Sequence, residues 1–247
     1  LNDFDYLIQN FYQVDSTTTI NSSQLNADAL LGKDLRLSHD ASTPQILIYH
    51  THSQEGYADS VPGDASTSVV GVGDYLTKLL TEQYGFNVIH HKGEYDVGDR
   101  DHAYSKAGPG LEAVRAENPG VEVVSDLHRD GVAESTRLVT QVNGIQMAQV
   151  MFFNGLSRTT AMGDIDYLYN PYIADNLAIS FQMQLKAAEY YPGFTRRIYL
   201  KGYRYNMHYC PKTLLIEVGA QTNTVSEAMN AMVPLADLLN KVLTAQR

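Results

Sequence analysis

Cysteine is almost absent from this sequence, which limits how the chain can be cross-linked or bind metal. Cys210 is the only cysteine among 247 residues. A single thiol forms no intramolecular disulfide and cannot build a cysteine-rich zinc knuckle. Any metal site in this chain must therefore use histidine and carboxylate side chains. The scarcity fits the cytoplasm, but it also fits the outside of bacteria that make few disulfides, so it leaves the compartment open.

Clusters of basic residues and long apolar runs are also missing. No run of five or more lysines and arginines occurs, and acidic residues outnumber basic ones by 28 to 18. We therefore expect no nucleic acid partner. No apolar stretch reaches the roughly 18 residues that a membrane-spanning helix needs, and no signal peptide is visible. The chain begins with Leu1 rather than methionine, so we expect that an upstream segment has been removed.

The first part of the chain differs in pattern from the rest. We expect an N-terminal arm or linker over residues 1–43 and one catalytic domain over residues 44–247. Between Phe4 and Phe11, apolar side chains recur at helical spacing before polar residues take over, which predicts a short amphipathic helix. The arm either packs on the domain as a strap or binds a partner.

From residue 45 onward, strand-like and helix-like segments alternate. This alternation predicts an α/β fold, a single domain with a twisted, mostly parallel mixed sheet flanked by helices. Asn143-Gly144 separates two β-prone runs, as in a hairpin. The segments that we predict include a polar loop over about 92–110, hairpin strands over 137–142 and 145–152, a long loop over 155–171, a last strand over 214–218, and a C-terminal helix that begins with a Thr224/Glu227 capping box.

Three strand-like runs end in residues that bind metal or move protons. These residues are His50 and His52 after the run 46–49, His128 after the run 121–127, and Glu217 after the run 213–216. The carboxyl ends of parallel strands meet at one edge of a sheet. Such strand ends could gather a zinc ion and a general base at a single site.

A catalytic zinc site needs three protein ligands, an open position for water and a carboxylate that takes and returns a proton. Glu55 joins the candidates because it follows His52 by about one turn. A single histidine after a strand is more often an ordinary loop residue than a ligand. Glu217 is harder to explain in that way, since a carboxylate in an apolar strand is costly to bury unless it is paired or functional. Together, these residues favour metal chemistry.

The same residues lie in blocks that occur in order from about residue 44 to the C-terminus. These blocks are Ile48–Tyr57, Asp126–Asp130, Asn170-Pro171 with Asn176–Ala178, Arg204–Asn206, and Leu214–Gly219. In them the chain resembles the stage II sporulation protein P family, relatives of the type 3 zinc-dependent N-acetylmuramoyl-L-alanine amidases. The arm before residue 44 contributes little to this resemblance.

The resemblance implies a single Zn²⁺ and cleavage of the amide between N-acetylmuramic acid and L-alanine in peptidoglycan. It also implies endopeptidase activity on cross-links of the stem peptides, and wall degradation at the septum during engulfment in sporulation. The partners that it implies are glycan strands, stem peptides and a lytic transglycosylase, stage II sporulation protein D. It further implies an extracytoplasmic location, with a membrane anchor upstream of this chain.

Carried over residue by residue, the resemblance makes His52 and His128 zinc ligands and Glu217 the general acid and base. In the wider amidase pattern a glutamate ligand begins the first helix, but residues 64–71 contain no glutamate. Glu55 is the natural substitute for that ligand, and His50 is the competing choice. We place Glu55 in the metal shell and expect His50 to lie behind it or in the core.

Other residues are candidates for substrate binding. Arg129 is suited to the carboxylates of stem peptides, and Arg204 and Asn206 lie in a tyrosine-rich segment that suits a substrate made of sugar and peptide. Two rival functions stay open. One is a zinc carboxypeptidase-like peptidase, which an arginine-containing pocket for a free carboxylate would favour. The other is a non-catalytic module that binds or scaffolds the wall, which the missing glutamate keeps open.

Overall fold

A seven-stranded mixed sheet lies at the centre of the computed structural model, which describes residues 1–244. Within these residues the strands are β1 (Tyr12–Val14), β2 (Ile46–Tyr49), β3 (Val88–His90), β4 (Val123–Asp130), β5 (Val139–Val142), β6 (Ile145–Ala148), β7 (Val150–Gly155), β8 (Arg158–Thr159), β9 (Gly163–Asp164), β10 (Ile198–Lys201) and β11 (Lys212–Ala220). The order in the main sheet is β1-β10-β7-β11-β4-β2-β3, and β5-β6 and β8-β9 form two small sheets.

Neighbouring strands of the main sheet run parallel, except where β7 meets β11. The antiparallel β7–β11 pair joins a block of three strands to a block of four. This arrangement confirms the predicted single α/β domain with a mostly parallel mixed sheet.

Helices cover both faces of the sheet. In the described chain they are α1 (Phe4–Phe11), α2 (Ala27–Leu31), α3 (Val69–Glu82), α4 (Ala103–Glu117), α5 (Ile173–Tyr190) and α6 (Val225–Thr244). Alternate residues of β2 point to opposite faces. Ile46 and Ile48 join the large core with α3, α5 and α6, whereas Leu47 and Tyr49 join a smaller core with α4. Both faces of β2 are buried, which explains its unbroken apolar sequence.

The N-terminal segment packs against the domain and adds an edge strand to its sheet. After α1, β1 pairs in parallel with β10. Tyr12 is 1% exposed and stacks on Phe181 of α5, with ring centroids 6.0 Å apart. Residues 12–14 thus belong to the sheet, while a division into arm and catalytic domain at residue 43 stays a prediction.

Helix α4 begins inside the region predicted to be a loop. Gly108, Pro109 and Gly110 all disfavour a helix interior, yet α4 continues through them. A Cβ atom on Gly108 would lie 2.7 Å from the Tyr209 hydroxyl, and one on Gly110 would lie 2.0 Å from the Tyr95 hydroxyl. The missing side chains therefore let two tyrosines pack against the helix, and tertiary packing overrides local propensity.

The other β predictions are confirmed in part. Asn143 and Gly144 have φ values of 53° and 79°, and they join β5 to β6 in the predicted hairpin. The run 145–152, predicted as one strand, divides at Gln149, because β6 pairs within the hairpin and β7 pairs in the main sheet. Strand β10 was not predicted, since it is defined by pairing with β1 and β7, which lie far from it along the chain.

The C-terminal helix starts as predicted. The backbone N–H of Thr224 donates to Glu227 Oε2, and the N–H of Glu227 donates to Thr224 Oγ1, which completes a capping box. Among the helices of residues 1–244, none is both long enough and apolar enough to cross a membrane.

Candidate metal centre

The candidate site lies where β2, β4 and β11 end. These three strands are neighbours and run parallel to one another. In the register of β11 and β4, Glu217 pairs with His128. A register shift follows Glu217 on β11, where Gly219 adopts a φ of 58°. The expected meeting of the three strand ends at one edge of the sheet is therefore observed.

The turn after β2 is held against β4 by a buried carboxylate. Asp126 of β4 accepts hydrogen bonds from the Thr51 backbone N–H at 2.9 Å and from Thr51 Oγ1 at 2.7 Å. These bonds fix the chain beside His52. One turn later, the backbone N–H of Glu55 donates to the His52 carbonyl at 3.3 Å. The turn therefore presents His52 and Glu55 together.

His52, Glu55 and His128 form one cluster of potential metal ligands. One ligand atom from each residue lies within 4.8 Å of the others. His52 Nδ1 is 3.8 Å from Glu55 Oε1, and His128 Nδ1 is 3.4 Å from Glu55 Oε2. The side chains of Glu55 and His128 are each 3% exposed, and that of His52 is 14% exposed. The residues predicted as ligands are thus close together.

The donor set suits Zn²⁺. Two imidazoles and one carboxylate are a common shell for catalytic zinc, which leaves a fourth position for water. Zinc-binding histidines usually direct their other ring nitrogen at a carboxylate or a carbonyl. Here His128 Nε2 lies 2.7 Å from Asp126 Oδ1. The N–H of His128 does not point at that oxygen, so this contact is an electrostatic one and not a hydrogen bond.

Without metal, a proton on His128 balances the charge of the cluster. Burial alone would lower the pKa of His128, but the Asp126 and Glu55 carboxylates outweigh burial and hold the pKa well above its usual value. Burial would raise the pKa of Glu55, yet His128, Arg100 and the Arg129 N–H bring it down to about 2. The site is therefore built around a positive charge, and a divalent cation would displace the proton.

Glu217 faces the same space as the ligand cluster. A cavity of about 240 Å³ is lined by Glu217, Glu55, Arg100 and both clustered histidines, among others. Glu217 is half-buried, but its Oε2 atom is inaccessible and has no hydrogen-bond partner among the described residues. Burial raises the pKa of Glu217 to about 8. A cation in the cavity would draw that pKa back down.

His50 faces away from the cluster. It is fully buried, and its Nδ1–H donates to the Leu127 carbonyl at 2.7 Å. Its Nε2 lies 2.8 Å from His90 Nε2, and the other nitrogen of His90 lies 2.8 Å from Asp74. Burial and the neighbouring His90 lower the pKa of His50 to about 3. Both nitrogens of His50 are thus engaged elsewhere, and His90 links His50 to Asp74.

The predicted substrate-binding residues lie in two adjoining cavities. Arg129 lines the cavity of the ligand cluster, and its Nε donates to the Gly56 carbonyl at 2.9 Å. Arg204 and Asn206 line a neighbouring cavity. Arg204 donates to the Tyr169 carbonyl at 3.0 Å, and Asn206 donates to the Tyr104 carbonyl at 2.8 Å.

Sequence reasoning missed the roles of Asp126 and Tyr104. Asp126 precedes His128 by two residues, so strand periodicity places both on the same face of β4 and was a usable signal. Tyr104 lies in the part of α4 that was predicted to be a loop. Its ring contacts both clustered histidines, with centroids 5.5 Å from His52 and 6.4 Å from His128. No local pattern pointed to that contact.

A family model described as Stage II sporulation protein P matches residues 7–240 of the chain. Stage II sporulation protein P of Bacillus subtilis (strain 168) is 22% identical over 216 residues, which cover 80% of this chain and 50% of that protein. The chain thus spans about half the length of the curated relative that it matches. The family match includes every residue of the candidate site.

Two solved amidase structures are similar to the chain at low identity. The CwlD amidase from Clostridioides difficile, determined in complex with the GerS lipoprotein, is 14% identical, with a TM-score of 0.48 over 82% of this chain and 100% of that chain. The N-acetylmuramoyl-L-alanine amidase AmiC2 of Nostoc punctiforme is 12% identical, with a TM-score of 0.47 over 82% of this chain and 96% of that chain.

Proposed function

The chain belongs to the stage II sporulation protein P family, and on this basis we propose that it is a zinc-dependent peptidoglycan hydrolase. The bond cleaved is the amide between N-acetylmuramic acid and L-alanine. One observation carries the proposal: His52, Glu55 and His128 lie within 4.8 Å of one another, in the cavity that Glu217 also lines. This arrangement combines a ligand set for zinc with a carboxylate for proton transfer.

His52, Glu55 and His128 would hold the zinc ion. Glu55 is already ionised and fixed, because Arg100 Nη2 donates to its Oε1 at 2.8 Å and the Arg129 backbone N–H donates to its Oε2 at 3.1 Å. Asp126 would orient His128 from behind. A bound zinc ion would act as a Lewis acid that polarises the amide carbonyl and acidifies water.

Glu217 would transfer protons in the reaction. Its carboxyl group lines the same cavity as the three ligand residues, and a carboxylate placed there can take and return a proton. Glu217 would take a proton from the attacking water and deliver it to the leaving nitrogen of L-alanine. Arg129, Arg204 and Asn206, which line the two adjoining cavities, would bind the substrate on either side of the amide.

We extend the proposal to the place where the enzyme acts and to its partner, and membership in the family supports this extension. The hydrolase would act outside the cytoplasmic membrane, anchored at the sporulation septum, and would thin the wall during engulfment. A stem-peptide cross-link is also an amide, so the same residues could support endopeptidase activity. The lytic transglycosylase stage II sporulation protein D would act with it on the glycan strands.

The test is product analysis on purified peptidoglycan by mass spectrometry, with zinc-loaded protein. We expect wild type to release stem peptides with a free N-terminal alanine. Glu217→Gln should reduce turnover by about 10²- to 10⁴-fold while zinc content is unchanged. Glu134→Gln is a matched control at an exposed position. Loss of single C-terminal residues would instead identify a carboxypeptidase, and wall binding without products would identify a binding module.

A further inference from the structure

A groove rich in tyrosine adjoins the cavity of the ligand cluster. It has a volume of about 370 Å³, and we call it the tyrosine groove, defined by Tyr104, Tyr203, Tyr205 and Tyr209 with Arg204 and Asn206. Tyr104 and Tyr205 line both this groove and the cavity of the ligand cluster. A substrate whose amide lies at the cluster would therefore extend directly into the tyrosine groove.

The backbone of the groove is held in a conformation that has an energetic cost. Tyr205 and Asn206 have φ values of 51° and 55°. This left-handed region is unfavourable for a tyrosine, and residues held in this way concentrate at functional sites. The hydrogen bond from Asn206 to the Tyr104 carbonyl ties the two walls together at 2.8 Å. The chain segments that carry Tyr104 and Tyr205 are thus linked directly to each other.

The chemistry of the groove differs from that of its surroundings. Among its described lining residues Arg204 is the only charged one. A separate cavity of about 350 Å³ beside the Glu55 loop is lined by Asp64, Lys92 and Glu94, and by no aromatic residue of the described chain. One region next to the cluster thus presents aromatic faces, whereas another presents charges.

We propose that the tyrosine groove binds N-acetylated hexosamine rings of the glycan strand, on the muramic acid side of the scissile amide. This inference rests on the proposed function. A pyranose ring has an apolar face of C–H groups with a rim of hydroxyls. The C–H face packs on an aromatic ring, and the phenol and guanidinium groups can bond the rim. Stem peptides carry carboxylates instead, so their chemistry suits the charged region and Arg129.

Tyr203 is the residue whose removal tests the groove most cleanly. Its side chain is 55% exposed, so truncation leaves the core intact. It lines the groove without lining the cavity of the cluster. Tyr167 provides a matched control, because it is 72% exposed and lines neither space.

The experiment measures binding by calorimetry to the 247-residue chain that carries Glu217→Gln. Two probes are used: a peptide-free tetrasaccharide of alternating N-acetylglucosamine and N-acetylmuramic acid, and a free stem tripeptide. Tyr203→Ala should weaken tetrasaccharide binding by about 5- to 10-fold and leave tripeptide binding unchanged. Tyr167→Ala should change neither.

Three outcomes would overturn the inference. The protein could fail to bind the tetrasaccharide, Tyr203→Ala could leave tetrasaccharide binding unchanged, or Tyr203→Ala could weaken binding of the tripeptide rather than of the tetrasaccharide. The last outcome would assign the groove to the peptide. Because the assay measures binding by a variant that lacks Glu217, a failure of the proposed hydrolase activity does not alter its result. The two proposals can therefore fail independently.

Discussion

Replacing Asp126 by asparagine should weaken zinc binding without removing a ligand. Asp126 is 1% exposed and lies 2.7 Å from His128 Nε2, on the side of the ring away from Glu55. Its negative charge makes the imidazole a better donor and fixes the ring orientation. Loss of such a supporting carboxylate typically costs about 10- to 100-fold in metal affinity. This corresponds to about 1.4–2.7 kcal/mol of zinc-binding free energy.

The assay is competition for zinc with a chromophoric chelator at fixed pH. Asparagine keeps the shape of the side chain and an oxygen that can accept from Thr51, so the fold should persist, as circular dichroism would verify. Glu227→Gln is the control, since Glu227 is also buried and its Oε2 accepts from Asn223 Nδ2 and from the Thr224 N–H at the start of α6, so that its hydrogen bonds involve no ligand residue. The control should bind zinc like wild type. Unchanged affinity in Asp126→Asn would refute the reasoning.

Two further predictions concern stability. Tyr12→Ala should lower the free energy of unfolding by about 3–5 kcal/mol, because Tyr12 is buried against Phe181. Tyr12→Phe should not lower it, since the buried hydroxyl has no partner in residues 1–244. Urea titrations in which the two variants lower the free energy of unfolding equally would contradict this view. Glu122→Gln should destabilise the protein by about 1–2 kcal/mol at pH 7. Although partial burial raises the pKa of Glu122, backbone N–H groups of Ser38 and His39, with Lys212, lower it from 4.5 to about 2. The folded-state pKa is below the unfolded one, so the stabilisation is present above pH 4.5 and disappears as pH falls towards 2; a difference from wild type that persists at pH 2 would argue against it.

The sheet edge could be predicted because its strands follow simple patterns. Strands β2, β4 and β11 are largely buried, so their sequences are rich in apolar residues, and the polar residues at their ends stand out. Glu217 stands out most, because an acidic residue in such a run needs a reason. Parallel pairing then brings Glu217 and His128 side by side. Local sequence was sufficient here because burial and periodicity agree.

Other features depend on contacts that are distant in sequence. Helix α4 contains Gly108, Pro109 and Gly110, so local propensity predicts a loop, whereas packing of Tyr95 and Tyr209 against these positions favours the helix. Tyr104 was therefore not recognised as a neighbour of His52. In the same way, β1 joins the sheet only through pairing with β10, nearly two hundred residues away along the chain.

The central claim is that His52, Glu55 and His128 bind one zinc ion, and its most direct test is elemental analysis of purified protein after zinc saturation and removal of excess metal. The account predicts about one zinc per chain in wild type, with zinc lost in His52→Ala and Glu55→Ala. His50→Ala should retain it, because both ring nitrogens of His50 bond elsewhere. Zinc that is lost with His50 but kept without Glu55, or a wild type that binds none, would contradict the account.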